Sequence, residues 1–140
     1  MESWNIKPGL RHSMTMPVTA AVTVPQLFNE ATEFSAFPAV LATGYMVAAM
    51  ELTCVQALHP HLPDGWGSLG VSIDVTHEAA TPPGLTLTIA ATLAAIDGRR
   101  ATFEVEASDG VDLIGRGRHE RAIVDLAKFE QRLSKKQPGV

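Results

Sequence analysis

An α+β fold, in which a curled antiparallel sheet wraps one long central helix, follows from three features of this sequence. The stretch "ATGYMVAAMELTCV" (42–55) is built of helix formers and is apolar on nearly every side. Four segments after it have strand chemistry and are joined by short turns such as "TPPG", "DGRR" and "DG". A fifth strand-like segment precedes the helix. Tight turns between successive strands imply antiparallel pairing. A helix without a polar face must be covered on most of its sides.

Taken in order, "SMTMPVTAAVTV" (13–24) is rich in Val and Thr and predicts the first strand. Pro17 cannot donate to a ladder, so it argues for an edge position or a late start. "PQLFNEATEFSAFP" (25–38) mixes apolar and turn-forming residues and predicts a helical turn plus a loop. From Ala39 to about Leu58 the pattern is helical. Thr43 suits the N-cap of a helix starting near Gly44, with Ala39 as an earlier start. "HPHLPDGWG" (59–67) ends the helix. "SLGVSIDVTHEAAT" (68–81) alternates, with Val71, Ile73, Val75 and His77 on the face expected to meet the helix. "LTLTIAATLAAI" (85–96), "ATFEVEAS" (101–108) and "VDLIGRGRHERAIVDL" (111–126) are the remaining strands. "AKFEQRLSKK" (127–136) is a short terminal helix. No repeat and no polar linker divides the chain, so residues 1–140 are expected to form a single domain. A curled antiparallel sheet around one helix is the hotdog fold. Such a sheet leaves an edge and part of one face open, so pairing into dimers is expected.

Composition narrows the function. A chain of 140 residues has room for one core, and 46% hydrophobic with 19% charged residues is globular. A net charge of −4 argues against a general nucleic-acid binder. The single cysteine, Cys54, excludes an intrachain disulfide and suits a reducing compartment. No run approaches the roughly 20 apolar residues of a membrane span. The start, "MESWNIKPGLRHSM", lacks an apolar signal core, so no membrane association and a cytoplasmic location are expected. Neither "GxxxxGK[ST]" nor "GxSxG" occurs, and the five histidines lack zinc-site spacing, so no metal is expected.

Glu51 stands out because its helical neighbours Val47, Ala48, Cys54 and Val55 are all apolar. It is either a rim carboxylate reaching solvent or an Arg, or a buried group in a site. A lone buried charge costs several kcal/mol unless paired, a cost kept more often for function than for stability. His77, on the apolar face of its strand, alone reads as a hydrogen-bonded core residue. Sharing a pocket with a carboxylate, it would complete a base pair able to activate water. Thr43, alone a helix cap, precedes Glu51 by eight residues, about 80° of rotation and roughly 12 Å of rise. Helical side chains lean toward the N-terminus, so Glu51 reaches back toward Thr43. The N–H groups near Gly44 and Tyr45 could meet an oxyanion, and Gly70 could let a backbone N–H approach a carbonyl. Cys54 reads as a small buried hydrophobe.

Three blocks, "EFSAFPAVLATGYMVAAMELTCV", "GSLGVSIDVTHEAATPPGLTLTIAATL" and "GRRATFEVEASDGVDLIGRGRHERAIV", together resemble the fluoroacetyl-CoA thioesterase family, a branch of the hotdog acyl-CoA thioesterases. The likeness runs in order from about Val22 to Phe129. It implies hydrolysis of a short acyl-CoA by a homodimer, with fluoroacetyl-CoA the leading substrate and no cofactor beyond the coenzyme A of the substrate. The family's Thr, Glu and His match Thr43, Glu51 and His77. Its carbonyl-binding glycine matches Gly70, and its last-strand arginine matches Arg121. The aromatic lid matches Phe34 and Phe37, and Val24 and Leu27 fall at the gate. Arg116, Arg118 and Arg121 are candidates for the anionic CoA tail. Tyr45 stands where the family leads one to expect Phe, and Leu52 where it suggests a larger aromatic. Both bear on acyl preference. The competing readings are a hotdog dimer that binds acyl-CoA without hydrolysing it, a thioesterase for another small acyl-CoA, and a hydratase or dehydratase on the same fold.

Overall fold

Alternation dictates the sheet. In the computed structural model, which describes residues 4–138, every second residue of β3 (Thr86–Asp97) from Leu87 to Leu93 is buried, as is every second residue of β4 (Arg100–Ser108) from Ala101 to Ala107. With β1 (Arg11–Pro17), β2 (Trp66–Val75) and β5 (Leu113–Asp125), these strands form one curled antiparallel sheet in the order β1-β3-β4-β5-β2. Helix α3 (Thr43–Leu58) packs on its inner face, with Met46, Ala49, Met50, Cys54, Ala57 and Leu58 buried against the strands. Each large side chain buried this way contributes about 1.5–3 kcal/mol. The hotdog architecture expected from the sequence is therefore present. Gly98, at φ +60°, makes the two-residue turn between β3 and β4 that a side chain would strain.

Four boundaries or faces differ from expectation. First, β1 occupies an edge, as Pro17 suggested, but it ends at that proline and not at Val24. The Val and Thr residues beyond serve the core. Val18 and Val22 are buried, the chain makes one 3-10 turn at Ala20–Val22, and the Thr23 hydroxyl donates to Ala20 O at 2.6 Å.

Second, Thr43 is the first helical residue and not the cap. Ala42 occupies the cap position, without a side-chain bond, and the Thr43 hydroxyl is engaged elsewhere. The segment before it forms two single-turn helices, α1 (Val24–Leu27) and α2 (Thr32–Ser35).

Third, β2 stops at Val75. Residues 76–81 continue beside β5 through isolated bonds, Thr76 N–H to Arg116 O at 2.9 Å and Glu78 N–H to Ile114 O. A bulge also interrupts β2: Gly70 lies opposite Arg121 and Ser72 opposite Glu120, so Val71 has no opposite residue. The inward face is thus Ser68 and Gly70 before the bulge, and Ile73 and Val75 after it. Val71 and Ile73 are 46% and 40% exposed, not covered by α3.

Fourth, α3 is not wrapped on all sides. Ala48 and Leu52 are exposed, the latter by 48%. The shorter α4 (Leu126–Ser134) is capped by Asp125, whose carboxylate accepts from the N–H groups of Ala127 and Lys128. Among the described residues no helix is long and apolar enough to cross a membrane.

Candidate active site

Glu51 emerges from the middle of α3 toward β2 and β5. Its Oε2 accepts from Arg121 Nη1 at 3.0 Å, while the Glu51 side chain keeps 42% of its surface exposed. Arg121 is only 5% exposed and is held on four contacts. Its Nε donates to Ser68 Oγ and its Nη2 to Ser68 O, both at 2.8 Å, and Nη1 also donates to His119 Nε2 at 3.0 Å. A buried cation set this way satisfies its charge and most of its donors at once. Gly70 lies directly beside the carboxylate: a Cβ built there would meet Glu51 Oε2 at 2.5 Å. The cavity of about 210 Å³ at this place is lined by Val47, Glu51, Gly70, Val71, Ser72, Ile73 and His119.

A second polar pair sits where α3 begins. The Thr43 hydroxyl lies 2.7 Å from His77 Nδ1. His77 Nε2 is sealed from solvent and has no hydrogen-bond partner among the described residues. Burial pushes the pKa of this ring below its ordinary value, with the Ala79 backbone opposing the shift. The ring lines a cavity of about 220 Å³ with Val40, Leu41, Glu78, Ala79 and Ala80. The loop carrying it is anchored from two sides. Leu41 N–H donates to Thr81 O at 2.8 Å, and the Thr81 hydroxyl donates to the buried Asp109 at 2.8 Å. Burial alone would raise the Asp109 pKa, but bonds from the Asp112 N–H, the Thr81 hydroxyl and the Val111 N–H outweigh it and hold the carboxyl below its usual range.

The residues singled out in the sequence therefore fall into two groups. Glu51, Gly70 and Arg121 form one, and Thr43 and His77 the other. The segment carrying Val24, Leu27, Phe34 and Phe37 covers the start of α3. Leu27 Cδ1 lies 3.7 Å from where a Gly44 Cβ would sit, and Val24 N–H donates to Val40 O at 2.9 Å. Val24 is half-buried, and so is Phe34, whose ring packs edge-on to Phe28 with centroids 5.4 Å apart; Phe37 is 51% exposed. Arg116 and Arg118 lie on the outer face of the sheet, near Glu78 and Glu104 at 3.5 and 3.8 Å. They line a broad outer concavity of about 590 Å³ with Arg11, Asp74, Glu104 and Glu106, remote from Glu51. Cys54 is fully buried, and burial above all pushes its thiol up to about 12, so it packs as a hydrophobe. Among the described residues no group of three or more His, Cys, Asp or Glu side chains is placed to hold a metal ion.

His119 and Ser68 belong to the Glu51 cluster and escaped the sequence reading. A signal existed: positions 117, 119, 121 and 123 share a strand face that ends in the buried Ile123.

A family model described as fluoroacetyl-CoA-specific thioesterase matches residues 14–127. The fluoroacetyl-CoA thioesterase of Streptantibioticus cattleyicolor is 49% identical over 134 residues, 96% of each chain. A solved structure of a variant fluoroacetyl-CoA thioesterase, in complex with fluoroacetate, has a TM-score of 0.92 at 48% identity, covering 95% of this chain and all of that one. A hypothetical protein of Thermus thermophilus, described as a thioesterase superfamily member, has a TM-score of 0.82 at 31% identity over 94% of this chain and 95% of its own.

Proposed function

The chain belongs to the fluoroacetyl-CoA-specific thioesterase family, and from that premise we propose that it hydrolyses fluoroacetyl-CoA to fluoroacetate and coenzyme A. The observation that carries this reading to the residues is the Glu51 carboxylate, held on one oxygen by a buried arginine and open to a small cavity. In the reaction the thioester carbonyl gains a water oxygen, the C–S bond breaks, and the thiolate leaves with a proton. With Oε2 engaged by Arg121, the other Glu51 oxygen drives the attack, either on the carbonyl itself or by taking a proton from water. The Gly70 backbone N–H polarises the carbonyl, because only a glycine leaves room between strand and carboxylate. His77, steadied by Thr43 at Nδ1, delivers the proton to the departing sulfur; Nε2 is enclosed in the free protein, so the substrate must part its surroundings to reach it. Phe34 and Phe37, with Val24 and Leu27, close over the acyl group and limit its size. Arg121 acts on Glu51; its burial leaves it no surface for the CoA phosphates.

The working unit in this reading is a homodimer. Support comes from the uncovered apolar side chains of Leu52, Val71 and Ile73, beside β2, whose second edge is unpaired. Coenzyme A enters as part of the substrate, and water is the only co-reactant.

The test is thiol release from a panel of fluoroacetyl-, acetyl- and longer acyl-CoAs. Glu51→Gln is expected to reduce turnover by about 10²-fold or more with the fold intact. Wild-type turnover in that variant would remove Glu51 from the chemistry. Saturable binding without thiol release by the native protein would replace the enzyme with a binding module.

A further inference from the structure

We propose that His119 is a positioning residue for hydrolysis: it fixes the Arg121 guanidinium so that Glu51 faces its cavity. The proposal rests on Glu51 as the reacting carboxylate.

The hydrogen bonds of His119 admit one protonation state. Its Nδ1 lies 2.8 Å from Ser72 O, which can only accept, so Nδ1 carries the proton. Its Nε2 lies 3.0 Å from Arg121 Nη1, which can only donate, so Nε2 carries a lone pair. The ring is the neutral Nδ1–H tautomer. At 2% exposure the ring is almost wholly enclosed, and both of its nitrogens are engaged. The charged groups acting on it are Arg121 from its own strand and Glu51 from α3, whose Oε2 is 3.9 Å from Nε2. β2 contributes the Ser72 carbonyl, and β4 sets Phe103 opposite.

Arg121 Nη1 has two hydrogens, and the structure gives one to Glu51 Oε2 and one to His119 Nε2, each at 3.0 Å. Ser68 holds the other side of the guanidinium through Nε and Nη2. Without the imidazole acceptor, one buried N–H would be orphaned next to Glu51. The guanidinium could then tilt away from the carboxylate to find a partner. The β2 bulge at Val71 belongs to the same device, since Ser72, the residue that holds Nδ1, directly follows it.

The experiment compares His119→Leu, which removes the acceptor, with His119→Gln, whose amide oxygen can replace Nε2. Thiol release from fluoroacetyl-CoA and thermal melting are measured for both. His119→Leu is expected to lower kcat by about 10²-fold, as a small misplacement of a reacting group does, while KM changes little. His119→Gln should recover at least about tenfold of that loss. Wild-type kcat in the Leu variant overturns the proposal. So does equal impairment in two folded variants, which would make the ring a packing element. Glu51→Gln, assayed alongside, separates the two levels: if it is active, the underlying site assignment fails. If it is inactive while His119→Leu is normal, only this proposal fails. Nitrogen-15 NMR of the native protein supplies a reading that needs no variant. Neutral Nδ1–H imidazole at pH 7 is expected for His119, and an Nε2–H or doubly protonated ring overturns the proposal.

Discussion

The hydroxyl of Thr43 and Nδ1 of His77 meet at 2.7 Å although 34 residues of chain separate them. This one bond ties the first turn of α3 to the loop beyond β2. It leaves His77 Nε2 as the buried nitrogen of the pair, unpartnered among the described residues. Thr43→Val keeps the branched shape and removes the hydroxyl. Turnover should fall about tenfold, the worth of one such hydrogen bond, while Thr43→Ser stays near native. Steady-state thiol release checks both. Equal rates in Val and Ser variants would show that the ring needs no steadying.

Gly70 supports a second prediction. A Cβ there would fall 2.5 Å from Glu51 Oε2 and 3.5 Å from Arg121 Nη1. The carboxylate, the movable partner, must swing out of place. Gly70→Ala should therefore cost about 10²-fold in turnover, and it should shift the melting temperature by only a few degrees because the crowded atoms end a flexible side chain. A large loss of stability with unchanged activity of the folded fraction would contradict this.

Two imidazoles, the buried His119 and the half-buried His77, link stability to pH. His77 and His119 have pKa values pushed below 6.5, first by burial. Below pH 6.5 the unfolded chain binds protons that the folded chain refuses. Stability is thus complete above 6.5 and declines as the pH falls through the folded-state values. Urea midpoints at pH 7.5 and 5.5 should show the lower value at 5.5. His77→Gln and His119→Gln should each flatten part of the slope. A midpoint independent of pH over this range would mean that neither ring is held neutral by the fold.

Leu52 tests the proposed dimer. It is 48% exposed on α3, so a polar residue there disturbs little of the single chain, within about 0.5 kcal/mol for a surface site. Leu52→Glu should shift the sedimenting species from two chains to one. If the native protein sediments as a single chain, the uncovered apolar side chains need another explanation.

Much of this was legible in the residues. The long apolar helix and the strand-like segments joined by tight turns gave the architecture, and four apolar neighbours made Glu51 conspicuous. The inward set of β2 was not legible, because one extra residue at Val71 exchanges faces and Gly70 has no side chain to reveal it. Thr43 read as a cap because local capping chemistry is visible in sequence, whereas a bond across 34 residues is not. In "GRHER", Arg118 and Arg121 read alike as candidates for the CoA tail, and His119 went unremarked. The alternation of this stretch in fact buries His119 and Arg121 and exposes Arg118.

The state of Cys54 has a practical corollary. A wholly enclosed thiol whose pKa is pushed up to about 12 supplies almost no thiolate near neutrality. A chromogenic disulfide added to the assay will thus count liberated coenzyme A with negligible background from the protein. After substrate is exhausted, the slow residual labelling of that one sulfur becomes a clock for opening of the core around α3.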